Sequence, residues 1–140
     1  RESGLKNVLV TNGFVNPEPL EELLPFIDAL NIDLKSMNPD FYKERCKGQL
    51  DPVLKTAVRC RKDAHVEATN LIIPGYNDST EELQKLADWI ADNLGEDTPT
   101  HLSAYTPRYK LGAKPTDGST LLRAHEAHAA RRARGPDDRD

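Results

Sequence analysis

The sequence has little of what several common kinds of protein are built from. Only two cysteines, Cys46 and Cys60, occur in its 140 residues. They are too few for a disulfide framework or a structural zinc site and too far apart for a CxxC pair, so each is read as a reduced, partly buried thiol. No apolar run approaches the ~20 residues of a membrane span and no secretory leader is visible, which points to a cytoplasmic protein with no membrane partner. Basic residues do not cluster through the body of the chain, and the formal net charge is −4. That balance argues against a nucleic-acid partner. No internal repeat is visible. The chain opens at Arg1 without an initiator methionine and enters a strand almost at once, so an upstream part is expected to precede it. Its length suits one domain, whereas a closed eightfold barrel typically needs about 250 residues.

What is present is a regular alternation of strand and helix. The run Lys6-Asn7-Val8-Leu9-Val10 ends in the turn Thr11-Asn12-Gly13, and Asn16-Pro17 then reads as an N-cap with proline in the first turn. Leu20, Leu23, Leu24 and Ile27 follow at helical spacing, with Glu18, Glu21 and Glu22 near the positive end of the helix dipole. A strand, Asn31-Ile32-Asp33-Leu34-Lys35, comes next. The region from Pro39 to about Ala64 reads as helical, divided by Gly48 and Pro52. A third strand, within His65 to Pro74, stops at Pro74-Gly75. Ser79 with Glu82 forms a capping box for a helix whose apolar stripe is Leu83, Leu86, Ala87, Ile90 and Leu94. His101 to Tyr105 is a fourth strand. The expectation is an α/β fold of about four parallel β/α units, either a doubly wound sheet or an open, partial (β/α) barrel. Strands at 8–11, 31–35, 66–73 and 101–105 would lie in that order, with helices on the outer face.

Within this pattern the second strand carries the sharpest signal. Alternate strand side chains point to opposite faces, so Leu30, Ile32 and Leu34 share one face while Asn31, Asp33 and Lys35 share the other. An alternating strand with one wet face is the plain alternative. In parallel β/α folds, however, chemistry gathers where strands hand over to loops at their C-terminal ends. Thr11-Asn12, Asp33 with Lys35, Gly75-Tyr76-Asn77-Asp78 and Tyr105-Thr106 all occupy that rim.

From Ala124 to Asp140 the composition changes to Ala, Arg and His and then Gly-Pro-Asp-Asp-Arg-Asp. Low apolar content and high charge mark a frayed or disordered tail. The division is therefore residues 1–123 as the β/α domain and 124–140 as the tail.

Thr11-Asn12-Gly13-Phe14-Val15, Asp33-Leu34-Lys35 and Leu71-Ile72-Ile73-Pro74-Gly75-Tyr76-Asn77-Asp78, in this order and at these separations, resemble radical S-adenosylmethionine proteins of the pyruvate formate-lyase-activating-enzyme type. The AmmeMemoRadiSam branch looks closest. The resemblance covers roughly Val8 to Leu111 and implies the rear part of a (β/α)₆ barrel. Two cofactors are implied, S-adenosylmethionine and a [4Fe–4S] cluster. Such proteins cleave the sulfonium reductively to a 5′-deoxyadenosyl radical, the cofactors carrying the hard chemistry while the protein orients and shields them. The cluster is held in that family by a CxxxCxxC loop that would lie upstream of this chain. Cys46 and Cys60 do not match its ligands, so no metal ligand is assigned here and the isolated chain is expected to be inactive.

Carried over by position, Asp33 and Lys35 match the strand end beside S-adenosylmethionine, and Thr11 and Asn12 match the polar end of the preceding strand. Thr69 and Asn70 are expected to reach the cofactor from the opposite wall. Thr69 stands where activating enzymes carry an arginine, and Thr106 where they carry a histidine, so the adenosine contacts are expected to differ. Two other classes remain open. Lys35 is placed where a Schiff-base lysine of an aldolase-like enzyme would sit, although Asp33 two residues away stabilises its ammonium. A non-catalytic structural remnant is the other. The substrate, whether protein or small molecule, is not readable, nor is the oligomeric state.

Overall fold

The computed structural model of the protein describes residues 2–134. Four strands, β1 (Val8–Thr11), β2 (Ala29–Asp33), β3 (His65–Ile72) and β4 (Thr100–Ala104), form one sheet in the order β1-β2-β3-β4. Every pairing is parallel. Between them run α1 (Pro17–Leu23) with a 3₁₀ turn Leu24–Phe26, then α2 (Pro39–Phe41), α3 (Leu50–Arg61) and α4 (Thr80–Asn93), and α5 (Gly118–Arg134) follows β4. This is the open, parallel α/β arrangement that the alternation predicts, with β2 beginning and ending two residues earlier than expected.

Strand parity decides what is buried. Leu30, Ile32 and Leu34 pack with Val66 and Ala68 of β3 and with Leu20, Val53, Ala57, Leu86 and Ile90 from the helices. Full burial of a leucine or isoleucine side chain contributes on the order of 1.5–3 kcal/mol, so this face holds the fold together. The opposite face carries Val8, Val10, Asn31, Asp33, Glu67, Thr69 and His101 by register. Val8 and Val10 stand 65% and 76% exposed there.

Local chemistry sets the connections. Gly13 follows β1 at φ +70°, and a Cβ there would lie 3.1 Å from both Ile32 Cγ2 and Val53 Cγ1. Only glycine accepts both the left-handed backbone and the close approach of β1's turn to the core. The region between β2 and β3 breaks at Lys47 (φ 55°), after a wide, π-type turn over Tyr42–Cys46. Pro52, expected to divide this region, instead sits in the first turn of α3, where its missing N–H deprives no helical bond. Ser79 caps α4 by accepting the Glu82 N–H at 3.1 Å.

The stretch from Ala124 is not a frayed tail as far as Arg134. Ala124 and Ala127 are buried against Ile72 and Leu83, and Arg131 bonds Asp92 at 2.7 Å, with Asp88 and Glu96 each 3.4 Å away. Small alanines let α5 approach closely, and the α4 carboxylates supply charge balance that composition alone does not reveal. Residues 135–140 of that expected tail lie outside the described residues. Among the described residues no helix is long and apolar enough to cross a membrane.

Candidate functional site

The end of β2 organises the site. Parity puts Asp33 and Lys35 on the helix-free face, and Lys35 Nζ donates to Asp33 Oδ2 at 2.7 Å, the two side chains 32% and 33% exposed. Beside them the Thr69 hydroxyl donates to Asn31 Oδ1 at 2.7 Å. Asp33 and Thr69 are register partners, so an ion pair and a hydrogen-bonded pair lie side by side across β2 and β3.

Lys35 also lines a cleft of about 560 Å³ with Asn12, Tyr42, Arg45, Cys46 and Ile73. The π-type turn supplies one wall. The Arg45 guanidinium lies 4.5 Å from the centre of the Tyr76 ring, a cation–π contact that fixes its direction. The Tyr42 hydroxyl accepts the Lys35 backbone N–H at 3.1 Å, and burial pushes that phenol up to about 12. Burial likewise raises the Cys46 thiol, against the opposing pull of Lys35.

Of the six residues expected at the site, Asp33, Lys35 and Thr69 lie on the helix-free face by parity, and Asn12, just past the end of β1, lines the cleft with Lys35. Thr11 and Asn70 lie on the other face. Thr11 pairs in register with Ile32 on the helix side, and its hydroxyl accepts the Gly13 N–H at 3.1 Å. Asn70 lies with Val66 and Ala68 on that same side, 2% exposed, and donates to the carbonyls of Leu34 and Lys35. Period two in a strand forbids Thr69 and Asn70 from serving one wall together. Asn12 caps its own turn, its Oδ1 accepting the Phe14 N–H at 3.0 Å.

Sequence reasoning missed a second polar group on this face. Glu67 is bonded by His101 at 2.7 Å and by His65 at 3.1 Å. Those bonds, His101's first, hold its carboxyl below the usual carboxylate range. The signal was available, because residues 65, 67 and 69 share parity.

Among the described residues no three His, Cys, Asp or Glu side chains form a metal site. Cys60 is fully buried, and desolvation pushes its thiol up to about 11, the opposite of what a cluster ligand requires. The cysteines here do not fit an iron–sulfur cluster. The paired ammonium and carboxylate at the end of β2 do fit a zwitterionic amino-acid group, whose own charges complement both.

Residues 1–90 match the family model described as the Radical SAM superfamily. The chain belongs to the radical SAM superfamily, a family of S-adenosylmethionine-cleaving radical enzymes. It is homologous to pyruvate formate-lyase activating enzymes: with the pyruvate formate-lyase 1-activating enzyme of Escherichia coli K12 it is 27% identical over 138 residues, covering 88% of this chain and 56% of that protein. With the uncharacterized protein MJ0808 of Methanocaldococcus jannaschii it is 46% identical over 123 residues, 86% of this chain and 36% of that one. The chain thus spans between about a third and just over half of the length of these two relatives. The fold superposes on a crystal structure of a domain of pyruvate-formate lyase-activating enzyme from Bacteroides vulgatus with a TM-score of 0.76, at 18% identity, over 93% of this chain and 79% of that one.

Proposed function

We propose that this chain forms the wall of a radical enzyme that receives the amino-acid end of S-adenosylmethionine, with Asp33 and Lys35 as its charged contacts. The observation that carries the reading is the 2.7 Å pair of Lys35 and Asp33 at the end of β2, each side chain a third exposed, with Lys35 lining the cleft shared with Asn12. An ammonium and a carboxylate held side by side present the counter-charges of a zwitterion: Lys35 Nζ donates to the methionine carboxylate while Asp33 accepts from the α-ammonium. Thr69 and Asn31, bonded to each other, present a polar surface next to that pair. When bound to a [4Fe–4S] cluster, S-adenosylmethionine supplies reductive cleavage to a 5′-deoxyadenosyl radical, used on a substrate that the cleft does not identify. The cluster ligands belong to residues other than those described, so a chain of these residues alone holds no cluster.

Two features support this over a Schiff-base role for Lys35. Its Nζ is taken up by Asp33 Oδ2 at 2.7 Å rather than left free to attack a carbonyl, and the family match covers the segment that carries it. The test is calorimetric binding of S-adenosylmethionine to the full-length, cluster-loaded protein. Lys35→Met is expected to weaken binding at least about tenfold, the loss of one charge-assisted bond. Unchanged affinity, or borohydride trapping of a carbonyl compound on Lys35, would overturn the reading.

A further inference from the structure

Lys35 stands just beyond the sheet. The last ladder bond of β2 runs from the Leu34 N–H to the Thr69 carbonyl at 2.9 Å, after which the backbone turns away. A lysine one residue past a strand's last pairing ordinarily has a loop's freedom, and an ion pair that is a third exposed does little to restrain it. Here side chains from three other segments take over the ladder's role. The Tyr42 hydroxyl, from the π-type turn, accepts the Lys35 N–H at 3.1 Å. Asn70 Nδ2, from β3, donates to the Leu34 carbonyl at 2.8 Å and the Lys35 carbonyl at 3.1 Å. Asn77 Nδ2, from the loop after β3, donates to the Lys35 carbonyl at 2.6 Å and to the Leu71 carbonyl at 2.9 Å, while its Oδ1 accepts the Ile73 N–H at 2.7 Å.

The chemistry of this node is narrow. Asn77 is 2% exposed and uses both amide donors and its acceptor at once. Aspartate would set a carboxylate against two carbonyls, and leucine would leave buried backbone groups unmet. Tyr42 is buried and held neutral, so its oxygen remains a hydroxyl that accepts the Lys35 N–H. Both peptide groups that flank the Lys35 Cα are thereby gripped, and the Cα–Cβ direction of Lys35 follows from them.

We infer that Tyr42, Asn70 and Asn77 are positioning residues that aim Lys35 at the cofactor's carboxylate by clamping its backbone N–H and carbonyl. The inference rests on the proposed role of Lys35, and it gives a role to Asn70 other than direct cofactor contact. Its consequence is that affinity for S-adenosylmethionine depends on three side chains that act through the Lys35 backbone.

The test uses the full-length, cluster-loaded protein and reads the calorimetric dissociation constant for S-adenosylmethionine, the KM and kcat for its cleavage, iron content and the thermal midpoint. Tyr42→Phe keeps the ring in the core and removes one acceptor; Asn77→Ser removes one donor to the Lys35 carbonyl and the two bonds that tie that donor to the end of β3. Thr116→Val is the comparator. The Thr116 hydroxyl likewise joins two segments, donating to the Ile72 carbonyl at 2.6 Å and accepting the Tyr105 N–H at 2.8 Å, with no bond to Lys35. Tyr42→Phe is expected to raise the dissociation constant and KM by more than about twofold and at most about tenfold, because the cost of re-ordering Lys35 on binding cannot exceed the one hydrogen bond that held it, at unchanged kcat and iron content. Thr116→Val should lower the thermal midpoint comparably yet leave the dissociation constant within about twofold, as for an independent site. If Asn77→Ser does not fold, Tyr42→Phe decides. Unchanged affinity in a folded Tyr42→Phe protein whose Lys35→Met counterpart binds weakly would overturn the positioning role alone. Equal weakening by Thr116→Val would overturn it as general loosening. Unchanged affinity in Lys35→Met would remove the cofactor reading and this inference with it.

Discussion

Glu82 Oε1 accepts the Met37 backbone N–H at 2.6 Å, joining the first turn of α4 to the segment that leaves β2. Glu82 is also the acceptor for the Ser36 hydroxyl, which is itself buried. A capping-box glutamate ordinarily reaches back to its own N-cap; this one reaches across the fold. Glu82→Ala would strand a buried hydroxyl and a backbone N–H at a cost of about 1–3 kcal/mol each. Urea unfolding should therefore show a lower midpoint for Glu82→Ala, with Glu82→Gln, which keeps the acceptor oxygen, close to the parent. Equal midpoints for alanine and parent would show that the cross-fold bond contributes nothing.

Asp33→Asn separates fold from cofactor contact. The pair with Lys35 is a third exposed, so losing it costs less than about 1 kcal/mol of stability. In the cluster-loaded protein the variant should fold, keep its iron, and bind S-adenosylmethionine at least about tenfold more weakly. Parent-like cleavage by Asp33→Asn would remove Asp33 from the site.

Glu67 supplies a pH test. Its folded carboxyl lies below the ordinary 4.5 because His101, and then His65, donate to it. A depressed carboxylate contributes stability that is present above its unfolded value and lost as pH falls through its folded value. The thermal midpoint of the parent should thus exceed that of Glu67→Gln near neutrality, and the gap should close on acidification below about 4.5. A gap that persists at the acid end would mean that the two bonds do not depend on ionisation.

Arg131 tests whether α5 is held by charge as well as by its alanines. Its side chain is 8% exposed and faces Asp88, Asp92 and Glu96, all on one side of α4 or just beyond its end. Arg131→Met retains much of the apolar stem but removes the cation shared by three carboxylates. Amide exchange across Gly118–Arg134 should rise more than across Thr80–Asn93. Equal exchange in variant and parent would assign the docking of α5 to its other contacts, the packing of Ala124 and Ala127 on Ile72 and Leu83 foremost.

How much of this was legible differs from residue to residue, and the range of the interaction explains why. Strand order follows from the succession of strand and helix along the chain, while the buried face of Leu30, Ile32 and Leu34 and the polar face of Asp33 and Lys35 follow from alternation within a few residues, a local property of the backbone. The opposite orientations of Thr69 and Asn70 were equally local, and only a strict reading of period two was needed to separate them. The docking of α5 was not legible. Ala124, Ala127 and Arg131 look like a solvated, charged stretch until Asp88, Asp92 and Glu96 are brought against them. Nor could the sequence join Lys35 to Tyr42, Asn70 and Asn77. An asparagine forty-two positions away is one of many possible partners in the chain, and only packing selects it, because a hydrogen bond needs its groups within about 3 Å. Periodicity along the chain determined which face of each strand is polar; the tertiary structure decided which side chains hold that face in place, since their partners meet only when the helices close over the sheet.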